Sequence, residues 1–207
     1  FMASKSLFVA LHSNIFPILS HNPLSSNQLS KKVKIPENRI STICTALTSI
    51  GLLSRDNGVY KNSLGAEKFL VKGATHDFGD YLRLQIDRQM YGFMDQLESV
   101  VNDNLKPTDI DSYAKWMNNE EDARLYSESQ HAVSLGPGLT LSRKIDFSRV
   151  NHLLDIAGGT GGMAIRLCEQ YPNLKITILD FSNVVKLGVK KIKDQILYKK
   201  LQCFYTK

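Results

Sequence analysis

Two carboxylates and a run of glycines are the residues of this chain best suited to chemistry. Asp155 precedes Gly158, Gly159, Gly161 and Gly162 in the stretch DIAGGTGGMA, and Asp180 follows Gly158 by 22 positions. Glycines let a ligand lie against the backbone where the chain turns from a strand into a helix. The first N–H groups of that helix lack partners and give it a positive terminus. An acid at the tip of the next strand accepts the hydroxyls of an adenosine ribose. A dinucleotide would satisfy most of this, since residues 159–164 also read GxGxxA. Asp155 favours another ligand: a carboxylate there is awkward beside a pyrophosphate and useful near a sulfonium and an ammonium group. A purely structural turn, with Asp155 bonded to the loop backbone, is the third reading.

The elements around the loop are those such a site needs. HLLDIA reads as a short apolar strand and MAIRLCEQY as a helix with Met163, Ala164, Leu167, Cys168 and Tyr171 on one face. KITILD is a second strand, and SNVVKLGVKKIKDQIL a second helix with Val185, Val189, Ile192 and Ile196 inward. Strand, helix, strand, helix is the first part of a doubly wound parallel unit. The pattern supplies two strands, and none is read in DQILYKKLQCFYTK. The strand bearing Asp155 would then lack a partner on one side.

Upstream, the chain is helical. Residues 2–20 read as one helix, Ser25 or Ser26 caps a short one, and Pro36 opens a third carrying Ile40, Ile43, Cys44, Leu47 and Ile50. Gly51 ends it, and LLSRDNGVYKNS is a hairpin turning at Asp56-Asn57-Gly58. Three helices and a hairpin make a winged helix-turn-helix. Residues 63–71 form a short helix with Leu64, Phe69 and Leu70 on its apolar side, and 76–104 a long aromatic one. Helices over 111–118 and 119–135 stop at Gly136-Pro137-Gly138, which should break the chain direction before another helix begins at 138–149. The expected organisation is a winged-helix domain at 1–75, a helical linker and pocket region at 76–137, and a partial Rossmann-like domain at 138–207. The fold class is mainly α with an α/β C-terminal part.

Composition narrows the function. The 207 residues are 43% hydrophobic and 22% charged, a globular balance. The net charge of +6 is uneven: residues 1–75 carry nine Lys/Arg against three Asp/Glu, and 76–181 carry ten against sixteen. The basic head with its wing suggests DNA binding. Yet the presumptive recognition helix, PENRISTICTALTSI, offers only Asn38 and Arg39 for readout, so dimerisation or a structural role is favoured. Cys44, Cys168 and Cys203 lie far apart, which argues against a disulfide framework or zinc site and fits a reducing cytoplasm. His76, His131 and His152 have no metal-ligand spacing, and no apolar run is long enough to span a bilayer.

LLDIAGGTGGMAIRLCEQYPNLKITILDFSNVV resembles the cofactor-binding segment of the S-adenosylmethionine-dependent O-methyltransferases of small hydroxylated compounds, the acetylserotonin, plant phenolic and polyketide type. The likeness extends over roughly residues 5–193. It implies S-adenosyl-L-methionine as cofactor, held by Asp155, Gly158, Gly159 and Gly161 around the methionine part and by Asp180 at the ribose. Ala157 stands where the family usually has glycine. YSESQHAVS resembles the helix lining the pocket, with Gln130 where methionine is common and Ser134 a further cofactor contact. Tyr81, Tyr91, Trp116 and His131 are candidates to line the acceptor pocket, with core packing the alternative. The resemblance implies a homodimer and a small hydroxylated substrate, while the lack of a long apolar run argues against a membrane and the bland recognition helix against nucleic acid as a partner. It also implies a base histidine well downstream of Asp180, which no residue here matches, so the expectation is an incomplete methyltransferase domain. The alternatives are a non-catalytic dimeric interaction protein or winged-helix regulator, and a nicotinamide-cofactor oxidoreductase.

Overall fold

The computed structural model describes residues 1–104, 113–193 and 201–206. The chain divides into two compact units, residues 1–83 and 84–207.

In the first unit, helices α1 (Met2–His12) and α2 (Ile15–His21) replace the single helix expected over 2–20. The break falls at Asn14, whose φ of 54° is left-handed, a region asparagine tolerates better than most residues. Pro17 thereby lies in the first turn of α2, where its missing N–H breaks no helical bond. Helix α3 (Ser26–Val33) starts with a capping box: Ser25 Oγ accepts from the Gln28 N–H, and Gln28 Oε1 accepts from the Ser25 N–H. Helix α4 (Glu37–Ser49) begins after Pro36 and buries Ile40, Cys44 and Leu47. Burial pushes the Cys44 thiol up to about 11, as expected of an inert core cysteine.

Strands β2 (Leu53–Asp56) and β3 (Val59–Asn62) meet across Asn57 and Gly58, both with positive φ, as a two-residue hairpin requires. A two-residue strand β1 (Leu24–Ser25) joins the other edge of β3, giving the antiparallel order β1-β3-β2. Ile15, Phe16, Leu29, Leu47 and Tyr60 are the centre of this unit's core. Helix α5 (Leu64–Phe69) corrects the sequence expectation of its apolar side. Leu64 is 92% exposed, and the residues turned inward are Ala66 and Leu70.

The expected continuous helix at 76–104 is instead a π-helix (Tyr81–Met90), a 3₁₀ segment (Tyr91–Gln96) and helix α6 (Leu97–Val101). Helix α7 (Tyr113–Asn118) precedes α8 (Glu120–Lys144), whose N-cap Asn119 accepts from the N–H groups of Glu121 and Asp122. Gly136-Pro137-Gly138 does not break the chain: α8 runs through it, so no new helix begins at 138. The cost of Pro137 is offset by close packing of α8 on α9. A Cβ on Gly138 would lie only 2.8 Å from Met163 Cα, so glycine here sets the distance of approach.

Strand β4 (His152–Ile156), helix α9 (Gly162–Gln170), strand β5 (Lys175–Phe181) and helix α10 (Ser182–Lys193) follow the sequence pattern; Ile196 lies outside the described residues. The sheet has a third member that the sequence reading missed. Strand β6 (Leu201–Thr206) pairs in parallel with β5, Ile178 opposite Cys203, giving the order β4-β5-β6. Its aromatic and branched residues carry the strand preference, but a run of six residues after a basic helix is too short a signal to separate from the helix in sequence.

Ile176 and Ile178 of β5 face α9 and α10 in the core. In register, Leu154 and Ile156 of β4 stand opposite Thr177 and Leu179 and therefore on the other face. They are 57% and 70% exposed. Parallel sheets are ordinarily covered on both faces, and β4 is the edge of this one.

Candidate functional site

The carboxyl ends of β4 and β5, the loop between β4 and α9, and one face of α8 enclose a cavity of about 190 Å³. Ligands of parallel α/β sheets bind at such strand ends, where loops converge on a helix N-terminus. The loop is tightly wound. Gly159 and Gly161 have φ of 61° and 81°, Ala157 has φ of 58°, and the Gly161 N–H bonds the Gly158 carbonyl at 3.0 Å. Gly161 faces inward, where an added Cβ would meet Ile178 Cδ1 at 2.8 Å, and it is not on the cavity wall. Gly158 and Gly159 are. Ala157 accepts the strain of a left-handed residue, and its N–H continues the ladder to Leu179 O at 2.8 Å.

The loop-bonding role that the sequence reading left open for Asp155 falls to the other acid. Asp180, not Asp155, holds the loop: its Oδ2 accepts from the Gly159 N–H at 2.8 Å and its Oδ1 from the Phe181 N–H at 2.7 Å. A carboxylate offers about four lone-pair positions, so two remain for a ligand. Asp155 lies beneath Gly158, where a Cβ would stand 2.6 Å from its carboxyl carbon. Among the described residues no hydrogen bond or ion pair reaches the Asp155 carboxylate. Burial, and then the Asp180 charge, hold its carboxyl above the usual aspartate range. Among the described residues the wall carries these two acids and neither Lys nor Arg.

Helix α8 supplies a polar stripe to the same wall. Ser127, Gln130, His131 and Ser134 recur at i, i+3, i+4 and i+7 and all line the cavity. His131 Nδ1 meets Thr160 Oγ1 at 2.8 Å, tying α8 to the loop. Ser134 Oγ bonds back to the His131 carbonyl, close to Gly162, where an added Cβ would overlap it. The structure therefore brings together Asp155, Gly158, Gly159, Asp180, Ser134, Gln130 and His131. It places Tyr81 and Tyr91 elsewhere: Tyr81 packs on Phe78 at 4.9 Å, and neither is on the wall. Trp116 stacks on Phe93 at 6.4 Å and is not on the wall, but it packs behind it, 6.0 Å from the Tyr126 ring and against the cluster that holds Val184. Thr160 was not foreseen; Tyr126 and Ser127 lie in the YSESQHAVS segment expected to line the pocket but were not singled out, although the helical spacing from Gln130 and Ser134 points directly at Ser127. Among the described residues no three His, Cys, Asp or Glu side chains cluster to hold a metal, and no helix is long and apolar enough to cross a membrane.

Comparison with known proteins follows the same division. Residues 1–72 match the O-methyltransferase dimerisation domain and residues 103–202 the O-methyltransferase domain. The chain is 26% identical over 199 residues to a 3-hydroxy-5-methyl-1-naphthoate 3-O-methyltransferase of Streptomyces sahachiroi, covering 91% of this chain and 55% of that one. It is 24% identical over 197 residues to an N,N-dimethyltransferase of Streptomyces rimosus, covering 93% and 57%. The chain thus spans about half the length of these relatives. Its fold superposes on human N-acetylserotonin methyltransferase, solved with S-adenosylmethionine, with a TM-score of 0.83 at 19% identity, over 100% of this chain and 63% of that one. With both parts matched in order and the acid-glycine-acid loop in place between strand and helix, the chain belongs to the S-adenosylmethionine-dependent O-methyltransferase family of small molecules.

Proposed function

We propose that this chain binds S-adenosylmethionine in the cavity and takes part in transferring its methyl group to a small hydroxylated acceptor. The observation that carries the reading is the charge of the wall: two acids, one of them without a hydrogen bond among the described residues, and no Lys or Arg. A dinucleotide would bring a pyrophosphate to these carboxylates, whereas the methyl donor brings a sulfonium and an ammonium group. That chemistry favours the methyl donor over a nicotinamide cofactor.

When bound, the donor supplies a methyl group on positively charged sulfur, open to in-line attack. The residues of the chain bind and orient. Asp155 offers its charge to the cationic part. Asp180 offers two further lone pairs to ribose hydroxyls while keeping the loop closed through Gly159. Ser134, beside Gly162, contributes a hydroxyl at the loop's end of α8, and Gln130 and His131 face the acceptor. Holding both reactants in line supplies much of the rate, and a base takes the acceptor proton. The resemblance assigns that base to a histidine downstream of the segment matched here.

Residues 1–75 are proposed to act as a winged-helix dimerisation unit, supported by the family match over 1–72. The bland exposed face of α4 gives nucleic acid little to read.

Isothermal titration with S-adenosylmethionine and, separately, NADH tests the reading. Binding of the first, weakened in Asp180→Asn, is expected. Preferential binding of NADH, or no binding of S-adenosylmethionine by a folded chain, overturns it.

A further inference from the structure

One residue of the polar stripe on α8 remains unexplained by the donor. Ser127 is 3% exposed and lines the cavity, yet among the described residues its hydroxyl has no hydrogen-bond partner. A buried hydroxyl left alone is unfavourable, and native structures seldom keep one without a use. One turn further on, Gln130 Nε2 donates to Gln85 Oε1 at 2.6 Å. Gln85, 7% exposed, also accepts from Ser129 Oγ at 3.1 Å. The Gln130 amide is thereby braced from behind, with a second N–H and its carbonyl oxygen left for another partner. An apolar ring would be served better by leucine or methionine at these positions.

The stripe also has two ends. Ser127 lies seven residues before Ser134, about 10 Å along the helix axis. Ser134 is the end that meets the glycine loop at Gly162. Ser127 and Gln130, three residues apart, are neighbours on the helix surface at the other end. Because Asp155 and Asp180 already charge the wall, an anionic group would be repelled there. A neutral one would not.

Resting on the methyl-donor reading, we propose that Ser127 and Gln130, braced by Gln85, form a hydrogen-bonding subsite for a second, neutral oxygen substituent on the methyl acceptor. The acceptor class is then a ring compound with at least two oxygens, one methylated and one held by this pair. Ser127 and Gln130 set specificity by rejecting analogues that leave their polar groups unpaired.

The test compares two ligands of nearly equal shape, 2,7-dihydroxynaphthalene and 7-methyl-2-naphthol, titrated into the chain saturated with S-adenosylhomocysteine. The diol is expected to bind at least about ten-fold more tightly, as a site built for a hydroxyl discriminates against a methyl group. In the Ser127→Ala, Gln130→Met double variant the ratio should fall below about three-fold while S-adenosylhomocysteine affinity stays within about three-fold. Ser127→Ala alone, which removes a buried unpaired hydroxyl, should narrow the ratio without lowering Tm. Equal binding of the two naphthols, no binding of either, or a ratio unchanged in both variants overturns the subsite. Loss of S-adenosylhomocysteine binding in the variants overturns it too, by assigning the pair to the donor. Failure of the parent chain to bind S-adenosylhomocysteine removes the methyl-donor reading itself, a separate result.

Discussion

The unit at 1–83 and the unit at 84–207 are built from the same physical rules and both break some of them, the first at a left-handed Lys34 and at the buried Tyr60 hydroxyl, but in the second the breaks gather at one place. In the first, α3 and α5 start at capping Ser25 and Ser63 and α4 at Pro36, the hairpin turns at Asn57-Gly58, and the core is built on Ile15, Phe16, Leu29, Leu47 and Tyr60. The second unit keeps Ala157 in a left-handed conformation, half-buries Asp155 with its carboxyl pushed up, hides a Ser127 hydroxyl unpaired among the described residues, and exposes Leu154 and Ile156. Three of these four departures line one cavity. Local rules are most often broken where a site needs them broken. Leu154 and Ile156 are a different matter, since they belong to the open face of the sheet.

That contrast makes stability the probe for the first unit and ligand linkage the probe for the second. The largest effect is expected from Leu47→Ala, which empties a fully buried position and should cost about 2–5 kcal/mol. Trp116, the only tryptophan, reports on the second unit. Thermal unfolding followed by far-ultraviolet circular dichroism should split from the Trp116 fluorescence transition. If both shift together, the two units unfold as one and the comparison loses its basis.

Asp155→Asn comes next. It should weaken S-adenosylmethionine binding by about 10- to 100-fold, the loss of a charge partner in a shielded site. The sign of its stability effect is opposite. A carboxyl whose pKa is raised on folding supports the fold fully below the unfolded value and loses that support as pH rises through the folded one. The ligand-free variant should therefore melt higher than the parent at neutral pH, with the difference vanishing in acid. In the parent, donor affinity should hold at neutral pH and fall as Asp155 takes up its proton, above the ordinary aspartate range. Equal melting temperatures across pH would remove Asp155 from the set of strained residues.

Two glycines sharpen the comparison further. Gly138→Ala pushes a methyl group against the Met163 backbone and should cost about 1–3 kcal/mol, while Gly65→Ala, with open space around it on α5, should be neutral or stabilising. Urea unfolding of both variants checks this. The smallest effect is Ala157→Gly, which relieves a left-handed alanine and gives back backbone freedom to the unfolded chain. Because the two contributions oppose, a gain of no more than about 1 kcal/mol is expected. A loss of stability would mean that the alanine methyl group packs favourably.

How much of this was legible beforehand follows the range of the interactions. The hairpin at Asp56-Asn57-Gly58, the start of α4 at Pro36 and the β4-α9-β5 unit were readable because each depends on a few adjacent residues. The break at Asn14 and the passage of α8 through Pro137 were not, because packing against distant residues outweighs local preference. Strand β6 was missed because six residues have a strand identity only beside β5.

Sequence by itself narrowed the loop to a nucleotide or adenosyl cofactor, because acids and glycines at 155–180 bracket it, and the family resemblance of the same stretch singled out the methyl donor. Tertiary structure alone decided which acid does what. Asp180 closes the loop because β5 brings its carboxylate to the Gly159 N–H, and Asp155 stays without a hydrogen bond beneath Gly158. It also decided that Ser127, not singled out within its pocket-lining segment, shares a wall with them unpaired, since burial and hydrogen-bond vacancy among the described residues are properties of surroundings and not of residue type.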